Sequence, residues 1–374
     1  MQGLKTDEVF GMDEKKVIVG MSGGVDSSVA AYKLRQEGYE VTGIALRFWT
    51  KEQCAEKWEK SCCSYYDVED ARNVAFKLDI PFYVIDVSRE FRREVIDYFI
   101  NEYMSGRTPN PCVVCNERVK FRVLARKADE LGAFYIATGH YAGVIHYPAQ
   151  GRYILREARD CKKDQSYFLF SLGQEQLTRT ILPLSDMTKD EVRRCAQKLG
   201  LVTHDKASSQ EVCFTCGEHT GTFLGAHVSD QASSGDIVSA EGVFLGRHRG
   251  LYRYTIGQRR GIGVAARRPL YVVKKDIPGN RLVVGERGAL RKREFYCERL
   301  NWMAPELPIG KKVPCLIKIR YRQQKLAGTI CCPIEQPSTV HVLLNEDAYA
   351  VTPGQAAVFY DDTAVLGGGW ICDR

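Results

Sequence analysis

The chain has 374 residues, 44% hydrophobic and 26% charged, which excludes a disordered, collagenous or low-complexity protein and predicts two or three domains with a sizeable core. It lacks a long uninterrupted apolar run, so no membrane span is expected, and residues 1–14 carry acids without an apolar stretch, which argues against a secretory leader and makes the cytoplasm the expected compartment. The net charge of +7 is uneven: residues 247–299 hold fifteen Lys and Arg against four acids, +11, while the rest stands at −4, a pattern that points to a polyanionic partner, most simply a nucleic acid.

In chain order, residues 16–20 read as a buried strand, followed by a Gly/Ser loop and a helix over 28–38. A second strand covers 41–46, a helix 67–78, a third strand 82–87, an amphipathic stretch 91–104, a helix 117–131 stopped by Gly132, and a fourth strand 134–138. Alternating strands and helices predict an α/β fold with a parallel sheet covered on both faces, whose ligand sits at the carboxyl ends of the strands. After residue 217 the pattern becomes short β runs (270–273, 281–284, 313–320, 339–344 and 356–360) separated by turn signals, which predicts one or two small barrel-like β domains. Boundaries at 217 and near 290 give domains 1–217, 218–289 and 290–374, with no internal repeat.

Ser22-Gly23-Gly24-Val25-Asp26-Ser27-Ser28 joins the first strand to the first helix. Its glycines let the backbone approach a ligand, and the helix N-terminus behind it favours an anion. Ser22 and Ser27 can donate hydroxyl hydrogen bonds, whereas Asp26 suits Mg²⁺ or the loop itself. Neither a Walker A lysine nor a GxGxxG spacing is present. The segment resembles the phosphate loop of the N-type (PP-loop) ATP pyrophosphatases, which cleave ATP to AMP and pyrophosphate and thereby activate an oxygen as a leaving group.

The cysteines narrow that choice. Among fourteen, Cys112 and Cys115 lie in Thr108-Pro109-Asn110-Pro111-Cys112-Val113-Val114-Cys115-Asn116, a proline-stiffened loop running into a helix, where Cys115 gains thiolate character from the helix dipole. Cys213 lies in Ser209-Gln210-Glu211-Val212-Cys213-Phe214. With Ala137-Thr138-Gly139-His140-Tyr141, Lys163-Asp164-Gln165-Ser166-Tyr167-Phe168, Gly257-Gln258-Arg259-Arg260-Gly261, Arg320-Tyr321-Arg322-Gln323, Val351-Thr352-Pro353-Gly354-Gln355 and Leu366-Gly367-Gly368-Gly369, the ordered set resembles the bacterial tRNA-specific 2-thiouridylases from Val17 to Gly369.

The resemblance implies a PP-loop ATP pyrophosphatase domain (adenine nucleotide alpha hydrolase-like), a small central β domain and a C-terminal β-barrel. It implies ATP held by Gly20, Met21, Ser22, Gly23, Gly24, Val25, Asp26 and Ser27, with Leu46 and Gly139 on the adenine side, and Mg²⁺ as the accompanying ion. The nucleophile falls on Cys115 and the persulfide carrier on Cys213. Asn110, Pro111 and Cys112 would frame the target base, and His140, Lys163, Asp164, Gln165, Arg320, Tyr321 and Gln355 would contact tRNA. The implied activity is a sulfurtransferase that adenylates the wobble uridine in the anticodon loop and replaces its 2-oxygen with sulfur. Its implied partners are tRNA and a sulfur-relay protein or cysteine desulfurase, and its implied state is a monomer. Three positions depart from the family pattern: Cys112 and Ser208 stand where Asp is frequent, and Cys216 completes a second C-x-x-C with Cys213. The rival reading is therefore a catalytically altered tRNA-binding paralogue whose four thiols bind zinc or an iron–sulfur cluster. A zinc deaminase, suggested by Pro111-Cys112-x-x-Cys115, is rejected because it leaves the phosphate loop without a task. The other cysteines, among them the adjacent Cys62 and Cys63, are expected to be packing or surface thiols.

Overall fold

A computed structural model describes residues 12–49, 65–148, 151–201, 212–215, 218–228, 234–305, 307 and 309–373. Cys54, Cys62, Cys63, Ser208, Ser209 and Cys216 lie outside the described residues. The chain forms two compact units, one within 1–94 and 114–216, the other within 95–113 and 217–374. No helix among the described residues is long and apolar enough to cross a membrane.

The first unit is α/β. Strands β1 (Asp13–Gly20), β2 (Glu40–Arg47), β3 (Phe82–Asp86), β4 (Ala133–Thr138) and β7 (Thr180–Ile181) form a parallel sheet in the order β3-β2-β1-β4-β7, while β5 (Gly143–Tyr147) and β6 (Arg152–Arg156) make a hairpin. The unbroken apolar run Val17-Ile18-Val19 suits the central strand, since both faces of β1 are covered. Val17 and Val19 join one cluster with Val29, Ala30 and Leu34 of α1 (Val25–Gln36), Val74 of α2 (Tyr65–Lys77), and Val192 and Ala196 of the later helix Lys189–Lys198. Gly20, on the opposite face, meets Leu124 of α3 (Phe121–Glu130). Each large apolar side chain buried this way contributes roughly 1.5–3 kcal/mol.

Strand order reverses between β1 and β4: β2 and β3 lie on one side of β1, β4 and β7 on the other. Such a switch point opens a crevice beyond the carboxyl ends of the two strands. Gly20 ends β1 opposite Thr138 of β4, and Gly139 follows directly.

Helix α1 starts at Val25, three residues before the expected 28, because Gly24 serves as its N-cap. The amphipathic stretch 91–104 and the expected helix 117–131 both contain π-helical turns. Residues 91–104 split into Ser88–Phe91, Arg92–Ile96 (π) and Asp97–Met104. The helix expected over 117–131 opens as a π-turn, Asn116–Lys120, directly after the α-helical turn Pro111–Cys115, and continues as α3. The second π-turn follows Cys115 directly.

The second unit is mainly β. Strands β8 (Gly235–Ser239), β9 (Phe244–His248), β10 (Tyr271–Asp276) and β11 (Arg281–Gly285) form a sheet in the order β10-β11-β8-β9, with β8 and β11 parallel, around Ile237, Val272, Leu282 and Val284. Strands β12 (Arg291–Trp302), β13 (Lys312–Lys318), β14 (Leu326–Cys331), β15 (Val340–Tyr349), β16 (Ala356–Asp361) and β17 (Ala364–Cys372) form an antiparallel barrel in the order β12-β15-β14-β13-β16-β17, closed by β12 on β17. Phe295, Cys297, Ile317, Val342, Phe359 and Ile371 fill it. Closure removes the edges that an open sheet would expose.

Gly139 offers a test of the switch point. A Cβ there would lie 2.6 Å from the backbone nitrogen of Ser27 and 2.7 Å from the carbonyl carbon of Asp26. Gly139→Ala should lower the urea unfolding free energy by about 1–3 kcal/mol, the usual cost of overpacking. Gly288→Ala, where a Cβ meets nothing within 4 Å, is the control. An unchanged midpoint for Gly139→Ala would show that the loop is not held against β4.

Candidate active site

The phosphate loop is organised by its own hydroxyls. Ser27 Oγ accepts from the backbone N–H of Ser22 at 3.1 Å and donates to the Gly24 carbonyl at 3.1 Å; Ser28 Oγ donates to the same carbonyl at 2.9 Å. The Met21 N–H donates to Ile44 O of β2 at 2.7 Å, fixing where the loop leaves the sheet. Gly23 has φ +68°, and a Cβ would fall 2.0 Å from Asp67 O, so only glycine fits. Gly24 caps α1 without a side chain, so no side-chain oxygen occupies its first-turn amides.

Asp26 is engaged by side chains from outside the loop. Lys189 Nζ lies 2.6 and 2.7 Å from its two carboxylate oxygens, and Tyr141 Oη donates to Oδ1 at 2.7 Å. Burial, first, and the neighbouring carboxylate push the Tyr141 phenol far up, so it remains a donor. Lys189 is placed by a capping box. Thr188 caps α4 (Lys189–Lys198), accepting from the Glu191 N–H at 3.3 Å, and Glu191 accepts from the Thr188 N–H at 2.7 Å. That backbone bond, together with Arg159, holds the Glu191 carboxyl down to about 2. Lys189 and Tyr141 thus both engage the Asp26 carboxylate, which braces the loop in this arrangement. Neither Lys189 nor Tyr141 was singled out by sequence reasoning; the capping box Thr188-x-x-Glu191 was the available signal for Lys189.

Leu46 ends β2 at 9% exposure and Gly139 follows β4. The neighbouring His140 is half-buried. Its Nδ1 sits 2.7 Å from Thr138 Oγ1 and its ring stacks on Phe121, with centroids 5.9 Å apart. Burial, with Lys120 adding repulsion, lowers its imidazole to about 3, so it is neutral at physiological pH. Gln165 and Tyr141 exchange hydrogen bonds through backbone and side chain, at 2.7 and 3.0 Å. Asp164 is 3% exposed and accepts from Ala158 and Ser166, which makes it an internal brace of its loop. Lys163 is half-buried beside it.

Cys115 is buried at the end of the Pro111–Cys115 turn, and Cys112 is exposed. The next residue, Asn116, donates through Nδ2 to Phe168 O at 3.1 Å, tying the helix start to the 163–168 segment. Cys213 is half-buried in the short turn Cys213–Thr215. Phe214 stacks edge-on against Phe91 at 6.0 Å, and Phe91 packs on Phe48 and Trp49 just beyond β2. Each cysteine segment is thus anchored at the carboxyl edge of the same sheet, Cys115 through Asn116 and Phe121, Cys213 through Phe214. No three His, Cys, Asp or Glu side chains among the described residues form a metal-binding group.

In the second unit, Asn110 Oδ1 accepts from the Val113 N–H at 3.4 Å beside buried Pro111. Arg320 is exposed at its residue surface and its guanidinium donates to the carbonyls of Tyr349 and Ala350. Tyr321 is half-buried. Gln355 donates inward, to Thr108 O at 2.9 Å and Pro109 O at 3.1 Å.

Residues 15–217 match the tRNA methyl transferase HUP domain family, 215–286 the tRNA methyl transferase PRC-barrel domain and 292–371 the aminomethyltransferase beta-barrel domain. Among similar proteins, "tRNA-specific 2-thiouridylase MnmA" of Geotalea uraniireducens is 48% identical over 96% of this chain and 95% of its own length. The proteins of the same name from Clostridium perfringens and Clostridioides difficile are 43% and 42% identical, again over 96% of this chain, and over 99% and 98% of their own lengths. The chain belongs to the tRNA-specific 2-thiouridylase family.

Proposed function

We propose that the protein is a tRNA 2-thiouridylase, a sulfurtransferase that consumes ATP and converts the wobble uridine of its tRNA substrates to 2-thiouridine. The observation that carries the reading is the placement of a PP-type phosphate loop and two cysteine segments, those of Cys115 and Cys213, at one carboxyl edge of one sheet.

ATP, with Mg²⁺ as its counter-ion, binds along Gly20–Ser27 with adenine toward Leu46 and Gly139. The loop amides and the N-terminus of α1 stabilise phosphate charge. The 2-carbonyl oxygen of the uridine attacks the α-phosphate and pyrophosphate leaves, so the oxygen now departs as AMP. A sulfur-relay protein or cysteine desulfurase supplies a persulfide on Cys213. The terminal sulfur attacks the activated carbon, AMP is expelled, and the Cys115 thiolate cleaves the S–S bond, leaving 2-thiouridine and a Cys115–Cys213 disulfide. Alternatively, Cys115 first releases hydrosulfide, which then attacks, with the same products. An external thiol reductant resets the pair. The base must leave its stack to be reached, which suits an anticodon loop. Asn110, Pro111 and Cys112 frame that base. His140, Lys163 and Gln165 line the approach, with Asp164 shaping their loop; Arg320 and Tyr321 meet the tRNA body. The reading divides the chain into domains 1–217, 218–289 and 290–374, to which the separate hydrophobic clusters lend support, and takes the protein to work as a cytoplasmic monomer.

Cys115→Ser and Cys213→Ser should each abolish thiolation, measured by mass spectrometry of digested tRNA, while tRNA-dependent pyrophosphate release persists. Peptide mapping after turnover without reductant should recover a 115–213 link. Full activity in either variant would refute the sulfur assignment.

Asp26→Ala and Lys189→Ala should each suppress pyrophosphate release and spare tRNA retention on filters, because both disturb the loop alone. Production of ADP and orthophosphate by the wild type would overturn the adenylation step.

The exposed Arg259 and Arg260 are the natural test of polyanion binding. Reversing both to Glu should weaken tRNA and leave ATP affinity intact. The log–log salt slope of tRNA binding should also become shallower, by about 0.7–0.9 per lost phosphate contact. Salt-independent binding by the wild type would remove the basic segment from the tRNA footprint.

A further inference from the structure

Residues Arg107, Thr108 and Pro109 lead into Asn110–Cys112, and proline at 109 and 111 deprives this segment of two backbone donors. The residue before each proline is also held extended, so the segment cannot coil onto itself to satisfy its carbonyls. Its three consecutive carbonyls are instead taken by side chains of the β region. Lys275 Nζ of β10 lies 3.5 Å from Arg107 O and donates to Tyr254 O at 3.2 Å; Gln355 Nε2 donates to Thr108 O at 2.9 Å and Pro109 O at 3.1 Å. In return, the Thr108 N–H donates to Pro353 O at 2.8 Å. Gly354, with φ +87°, permits this approach: a Cβ would meet Arg107 Cβ and the Thr108 backbone at 3.0 Å.

The side chains are committed to this task. Lys275 is 7% exposed and lies over the Tyr103 ring at 5.3 Å. Burial pushes its ammonium down to about 8, so it stays charged at neutral pH. Upstream, Arg107 is clamped by Glu102 through two bonds of 2.7 and 2.6 Å.

We propose that Gln355 and Lys275 are positioning residues that strap the Arg107–Pro109 backbone to the β region and so set where Asn110–Cys112 meets the target base. The proposal rests on the thiouridylase reading for the identity of that base, and it gives the β region a role in the chemical step as well as in tRNA grip. It differs from a tRNA contact made through Gln355 Nε2, because that group donates to protein carbonyls.

The test uses the full-length protein and two readouts. Gln355→Glu keeps the side-chain shape but replaces the donor with an acceptor, so it should repel both carbonyls. In the tRNA-free protein, hydrogen exchange of the peptide containing Thr108 should accelerate. With tRNA, kcat for 2-thiouridine formation should fall by roughly 10- to 100-fold, the scale of a displacement of about 1 Å, while the tRNA Kd is unchanged. Lys275→Met, acting on the other leg, should accelerate the same exchange, which guards against an uninformative fold loss in one variant. Unchanged exchange with a weakened Kd would make Gln355 a tRNA contact and overturn the strap. A wild-type protein that makes no 2-thiouridine would strike the functional reading instead, and the exchange result would still decide the strap.

Discussion

One carboxylate ties together the elements around the switch point of the α/β unit. Asp26 sits on the first turn of α1, its carboxylate held by Lys189 from the first turn of α4 and by Tyr141 beyond β4. An unpaired acid beside a phosphate loop would repel the substrate it serves, and the low local dielectric would magnify that repulsion. Lys189, with its side chain 7% exposed, neutralises the acid from the buried side of the pair, while the Asp26 side chain is 32% exposed. Asp26 is therefore a strut joining three elements that converge on the switch point. In the proposed reading, phosphate recognition then falls to the glycine backbone and the helix N-terminus, whose partial charges are fixed by the fold.

The sequence made the frame of that site readable and left its bracing hidden. Val17-Ile18-Val19 followed by two glycines and a serine cluster carries its own physics: a strand buried on both faces, then a turn, then a helix start. The strut carries none, because Asp26 and Lys189 are 163 positions apart and their meeting depends on strand order. The amphipathic pattern over 91–104 and the helical spacing over 117–131 conceal π-turns, since one extra residue per turn hardly alters a short apolar pattern. Strand β12 opens with four exposed charged residues, Arg291 to Glu294, and β17 carries three consecutive glycines, Gly367 to Gly369, so neither shows the alternating apolar pattern of a strand. Asp164 and Gln355 were legible as polar residues near the site, but not as groups turned toward protein backbone. A carbonyl acceptor has no side-chain signature.

Charge counting met the same limit. The +11 of residues 247–299 treats every cation alike, whereas the structure sorts them. Arg259, Arg260 and Arg267 are exposed; Arg268 pairs with Glu286, Arg281 with Asp276 and Arg293 with Asp347; Lys275 is buried on neutral carbonyls. Exposed arginines interact with a polyanion over a distance comparable to the Debye length, so their contribution falls as salt rises. A buried ammonium on backbone carbonyls is shielded from mobile ions, and an amide carries no net charge to screen. Affinity set by the arginine loop should therefore be salt-sensitive, while the geometry set by Lys275 and Gln355 should not. At saturating tRNA, added salt then has nothing left to weaken in the step that the strap governs. On the proposed reading, the same β-rich unit would tune how tightly it holds RNA through surface charge without disturbing the placement of the Asn110–Cys112 segment.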